Sequence, residues 1–190
     1  MKKIGILAVA LLLFFSMASF GHAQTDLQIG LNTIGGGLGF VSPSGSIGST
    51  IALAGNAGLG TFMKDFHLVG FAQFWRKKYA ENTYWDWGWT EMVFGGGAKY
   101  YFKLENMPFL PYAGGGLALT ISHWSWDYTG PSTYLEKNSS DTDINIGAQI
   151  FAGAEYPINP KMKAYGEFRF HTDGVDFFGI FAGVLLSKGK

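Results

Sequence analysis

From residue 142 onward the chain alternates apolar residues with polar or small ones. In "DINIGAQIFAGAEYPI", Ile144, Ile146, Ala148, Ile150, Ala152, Ala154, Tyr156 and Ile158 share one side, while Asp143, Asn145, Gly147, Gln149, Phe151, Gly153 and Glu155 share the other. Period two marks an extended strand with two unlike faces. "KMKAYGEFRFH" repeats it, with Met162, Ala164, Gly166, Phe168 and Phe170 opposite Lys161, Lys163, Tyr165, Glu167, Arg169 and His171. The segment from Phe66 does the same, with Phe66, Leu68, Gly70, Ala72 and Phe74 on one face. Eight such segments are expected, at 27–41, 47–63, 66–78, 84–102, 108–128, 142–157, 161–171 and 175–187. The first shifts phase from Leu27, Ile29 and Leu31 to Ile34, Leu38 and Phe40 around its glycines, as a bulge makes a strand do.

The connections fall into two groups. Those at 63–65, 103–107 and 159–160 are short. The opposite end holds "SPSGS" (42–46), the stretch around "KKYAENT" (77–83), "YTGPSTYLEKNSSD" (128–141) and "TDG" (172–174), of which two are long. Transmembrane β-barrels show this asymmetry, with tight periplasmic turns and longer external loops.

An eight-stranded antiparallel barrel can turn its apolar faces inward, as soluble lipocalin-like binding barrels do, or outward into lipid. The apolar faces here run almost uncharged from end to end, whereas the other faces hold Glu91, Lys99, Glu155, Lys163, Glu167 and Arg169 among glycines. Opposite charges can pair in a closed interior, but a basic group on a lipid face near the midplane costs about 2–4 kcal/mol. The apolar faces therefore go to lipid. On that phase Phe62, Phe66, Tyr100, Phe102, Phe109 and Tyr156 gather near the short turns as an aromatic girdle. The fold class expected is all-β, a closed eight-stranded antiparallel up-and-down transmembrane β-barrel. No later window holds the roughly 18 consecutive apolar residues of a membrane helix.

The N-terminus stands apart. "MKKIGILAVALLLFFSMASFGHAQ" places Lys2 and Lys3 before an apolar run and then small residues up to Ala23. It reads as a cleaved signal peptide over residues 1–23, leaving one barrel domain over 24–190. Without Lys2 and Lys3 the balance is 12 basic to 14 acidic residues, which gives no reason to expect a nucleic-acid partner. The absence of cysteine excludes disulfide and thiol chemistry. With 28 glycines, 17 Phe, 9 Tyr and 6 Trp against 15% charged residues, the composition suits a membrane barrel better than a water-soluble domain.

The chain resembles the small outer-membrane barrels of the OmpA transmembrane domain, OmpX and opacity-protein type. The residues that carry the likeness are "GAEYPINPKMKAYGEFRFHTDG" and the closing strand "FFGIFAGVLL", which echo that group's glycine-acid-tyrosine strand, tight turn and acid-aromatic-arginine-aromatic strand. The resemblance implies insertion in the outer membrane of a diderm bacterium, with outer-membrane lipid and lipopolysaccharide as surroundings. Such chains often end on an aromatic residue, whereas this one ends "LLSKGK".

Three sets of side chains are candidates for function. Glu91, Lys99, Glu155, Lys163, Glu167 and Arg169 share the interior face and are expected to form an ion-pair network that plugs the bore, a gated ion path being the alternative. Trp75, Trp85, Trp87, Trp89, Trp124 and Trp126 share parity with that interior phase near the ends of three successive strands. They read as a girdle re-aimed by a bulge, a seal at the barrel mouth, or a surface for sugar rings or an apolar ligand, since indoles at period two stand about 6–7 Å apart. His123 and Ser125 project together from the lipid phase, and with Glu136 they resemble the outward His-x-Ser and acid of lipid A deacylases, although Trp126 stands where that pattern has asparagine. His171, beside Thr172 and Asp173, reads as interfacial or loop, and His67 as an interfacial residue beside a short turn. Three separated histidines without cysteine give no metal spacing, and "GGGLG" lies in a strand and precedes no helix, so no metal or cofactor is expected. The expectation is a monomeric, non-enzymatic outer-membrane protein meeting an extracellular ligand or surface partner through its outer loops and aromatic rim.

Overall fold

The computed structural model describes residues 28–82, 84–128, 138–173 and 175–188, so the expected signal peptide and Glu136 lie outside the described residues. Eight strands follow in order: β1 (Gln28–Pro43), β2 (Thr50–Met63), β3 (Phe66–Asn82), β4 (Trp85–Tyr101), β5 (Leu110–Tyr128), β6 (Ser139–Asn159), β7 (Met162–Thr172) and β8 (Phe177–Ser187). Each pairs antiparallel with its sequence neighbours, and β8 pairs with β1, so the sheet closes. Alternation excludes a slip of one residue, which would exchange the two faces of a strand, and the short turns set the rest of the register.

The stagger of the barrel can be followed residue by residue. Successive partners run from Thr33 through Gly58, Val69, Gly97, Gly116, Gln149, His171 and Phe177 and return to β1 at Pro43. The path comes back ten residues further along β1, from 33 to 43, so the strands must tilt strongly for the ring to close.

The outward faces are the apolar ones. Phe40 is 65% exposed and Ile146 71%, whereas Gln149, Glu155 and Arg169 on the inner faces are all but inaccessible. A soluble barrel with its apolar faces inward is thereby overturned. The narrow interior is filled by Phe71, Tyr112, Phe151, Tyr165, Phe181 and Leu185 around the charged groups. Glycine makes room for these rings: a Cβ on Gly114 would lie 2.6 Å from Phe151 Cε2. The register shift of β1 falls between Ile29 and Thr33, ahead of the glycine run, and its partner strand carries Gly60 at φ +116°, which side-chain-bearing residues rarely adopt.

The strands differ sharply in length. β7 and β8 have 11 residues each, about what a tilted strand needs to cross a bilayer. β6 has 21, and its residues 139–147 continue past the last β7 partner, Ala148 to Thr172. On the other side, residues 76–82 of β3 continue past the Trp75–Ala52 pair with β2. Pairing among β3, β4, β5 and β6 persists up to Asn82–Trp85, Trp85–Tyr128 and Trp126–Ser139. A four-stranded projection therefore stands beyond the rim at the end opposite the short turns. The stretch around 77–83, expected as a connection, is strand up to Asn82, where it pairs with the tryptophan-rich start of β4 from Lys77–Trp89 to Asn82–Trp85.

Candidate functional site

The interior charges separate into layers. Nearest the short turns, Glu155 accepts from Lys99 Nζ at 2.5 Å, Lys163 Nζ at 2.9 Å and the Tyr101 hydroxyl at 2.5 Å. Lys99 Nζ also stands 4.7 Å from the ring centroids of Tyr101 and Tyr112, so its charge is held by one carboxylate and two aromatic faces. His67 packs edge-on against Tyr101 and helps line a cavity of about 240 Å³ that opens at this end. It faces the barrel mouth, contrary to the interfacial position expected, because its strand parity is that of the lumen.

The next layer joins Glu167 and Arg169. Arg169 Nε donates to Glu167 on its own strand, Nη2 donates to Asn56 Oδ1 at 2.7 Å, and Tyr112 donates to Glu167 Oε2 at 2.8 Å. The guanidinium lies 4.9 Å from the Phe181 ring. The void beside this layer is about 30 Å³, room for very few waters.

Glu91 does not join Lys99. It is fully buried near the projecting end, where Oε2 accepts from Trp89 Nε1 at 3.3 Å and Ser122 Oγ at 3.4 Å. His171, expected at the interface, is buried in the same upper layer, hydrogen-bonded to Thr120 at 3.0 Å and lying 3.2 Å from Asp173. Gln73 and Gln149 add buried polar groups with no hydrogen-bond partner in the protein.

The tryptophans follow the lumen phase and rise from this layer onto the concave face of the projection. Trp75 is fully buried edge-on against Phe177, so it caps the interior and offers no ligand surface. Trp87 and Trp89 pack partly on the core, with centroids 6.2 Å apart. Trp85 contacts Trp126 at 5.2 Å and Tyr128 at 4.8 Å, and Trp126 remains 41% exposed. Trp124 stands opposite Trp89 and next to Asp141 of β6. Parity pointed to this face; Tyr128, Asp141 and Asp143 became part of it only through pairing with the tryptophan strands.

His123 and Ser125 lie on the convex side. His123 Nδ1 meets Thr142 Oγ1 at 2.9 Å, while Ser125 stands opposite Gly88 and Ser140. The histidine's hydrogen-bond partner is thus a threonine on the next strand and not the serine. Among the described residues no three His, Cys, Asp or Glu side chains gather to hold a metal. Outside the strands, the exposed Lys103 beside Asp65 at a short turn holds that carboxyl below the usual carboxylate range.

A closed, outward-apolar barrel with an ion-paired interior defines an integral transmembrane β-barrel. A family model described as the outer membrane protein beta-barrel domain matches residues 7–183, and the chain belongs to that family of the bacterial outer membrane. Solved structures agree in fold. Neisserial surface protein A superposes with a TM-score of 0.63 at 19% identity, over 85% of this chain and 100% of that one. Ail, the attachment invasion locus protein of Yersinia pestis, solved with the heparin analogue sucrose octasulfate, gives 0.57 at 13% identity, over 84% and 99%. A major outer membrane protein from Thermus thermophilus gives 0.51 at 11% identity, over 81% and 98%. No curated protein matches the chain by sequence.

Proposed function

We propose that this protein is a non-enzymatic surface protein whose barrel is an anchor, closed by its ion-pair layers, and whose projection carries the binding face. The short turns then lie in the periplasm and the projection outside, the usual orientation of such barrels. The mature chain begins after residue 23, is monomeric, and has lipopolysaccharide among its neighbours.

The carrying observation is the Trp85, Trp126 and Tyr128 cluster on the concave face. These rings stand beyond the barrel core, and exposing aromatic surface there serves no packing need. That Ail, a barrel of similar fold, is solved in complex with a heparin analogue supports a saccharide-type ligand for such a barrel. Charge separates the two proteins' ligands. On the concave parity of the projection the described charges are Asp141 and Asp143 against Lys77, which suits a neutral saccharide better than a sulfated one.

Tryptophan fluorescence of the protein in nanodiscs, titrated with neutral oligosaccharides and with sucrose octasulfate, tests this reading. A saturable change with a neutral sugar, abolished in Trp85→Ala and Trp126→Ala variants that still show the folded gel mobility, is expected. No saturable response to any sugar overturns it.

A further inference from the structure

The convex side of the projection carries a polar row that neither the barrel nor the aromatic face uses. Arg76 pairs across the sheet with Thr90, Thr90 with His123, and His123 with Thr142. All four have the outward parity of Phe74, Met92, Ile121 and Ile144, and each stands two residues beyond one of these on its own strand. The row therefore begins where the apolar band ends. Two residues further out, Lys78, Gly88, Ser125 and Ser140 form a second rung. Gly88 leaves the ground between Lys78 and Ser125 free of a side chain, and Ser125 Oγ would lie 3.1 Å from a Cβ placed there.

Arg76 and Lys78 are exposed. Among the described residues neither forms an ion pair, and the carboxylates on this face, Asp86 and Asp127, stand opposite each other one rung further out. Two such cations at period two, flanked by four hydroxyls and an imidazole, face the head-group layer of the outer leaflet. Four strands span roughly 15 Å, the width of a disaccharide head group rather than of a single phosphate. His123 and Ser125, which resembled half of a catalytic set, become donors in this row.

From this arrangement we infer a docking site on the convex side for the phosphorylated saccharide head group of an outer-leaflet glycolipid, with Arg76 and Lys78 on phosphate and Thr90, His123, Ser125 and Thr142 on sugar hydroxyls. The site rests on the outward orientation of the projection proposed above. Both cations make charge-assisted contacts to phosphate, so removing the two together should weaken binding about tenfold or more.

Native mass spectrometry of the folded protein, with lipopolysaccharide or phosphatidylglycerol added to the detergent micelle, tests it. The expected result is lipopolysaccharide binding that falls about tenfold or more in Arg76→Gln/Lys78→Gln. Phosphatidylglycerol binding and a Lys161→Gln/Lys103→Gln control should stay at wild-type levels, and dephosphorylated lipopolysaccharide should bind both proteins equally weakly. Equal loss of both lipids in the double variant shows unspecific interfacial lysine and arginine and overturns the site, as does unchanged lipopolysaccharide binding. Protease added to intact cells, cleaving a tag placed in the 129–137 connection only if that end is outside, tests the orientation separately.

Discussion

Lys99 and Lys163 converge on the two oxygens of a single carboxylate, Glu155, at 2.5 and 2.9 Å. The lysines come from β4 and β7, so the pairing ties together strands on opposite sides of β5 and β6. Lys99 is the costlier partner to strand, since its side chain is only 13% exposed while that of Lys163 is 34% exposed and can turn to water.

Glu155→Gln should therefore destabilise the barrel by roughly 3 kcal/mol, chiefly through Lys99 left buried without its counter-charge. The urea midpoint of the folded gel band measures this. Lys163→Met should cost clearly less.

Arg169 and Glu167 should behave as one unit. Arg169→Met leaves a buried carboxylate facing Tyr112 alone and should cost about 3–5 kcal/mol, while the double variant Arg169→Met/Glu167→Gln should cost less than that single change. Additive losses in the double-mutant cycle would count against the pair. Planar-bilayer recordings of the same variants report whether this layer closes the bore.

All six tryptophans have inward parity, so brominated phospholipid should quench the native emission weakly. A Phe74→Trp variant, which adds an indole to the lipid face, should be quenched strongly. Equal quenching of both would place the native indoles in a membrane belt.

Gly114→Val should lose about 1–3 kcal/mol, because the added atoms meet the Ala98 carbonyl of the neighbouring strand as well as the Phe151 ring. Folding yield into micelles should fall in step with the urea midpoint.

At the short turn between β2 and β3, the depressed carboxyl of Asp65 beside the exposed Lys103 favours the folded state only while ionised. Its contribution is present above the unfolded-state value and disappears as pH falls through the lower folded one. Asp65→Asn should therefore shift the urea midpoint slightly near neutral pH and not at all in strong acid, since exposed pairs contribute little.

The alternation of β6 and β7 was legible position by position, and so was the parity of the tryptophans. Local rules misplaced two histidines. His171 and His67 sit beside turns, which favoured an interfacial reading, yet each keeps the lumen parity of its strand and packs inward. Glu91 and Lys99 share a face, but eight residues of strand, roughly 26 Å, keep them in different layers. Parity tells which face a residue occupies and says nothing about its height.

The sequence by itself determined the strand count, the inward and outward faces and the membrane class, because period two is a local property that each segment carries alone. Tertiary structure decided which charges meet, that Trp75 is sealed while Trp126 is open, and that β3 to β6 rise beyond β7 and β8. Those relations depend on stagger around a closed ring and on unequal strand ends. They exist only once each strand has found its neighbours.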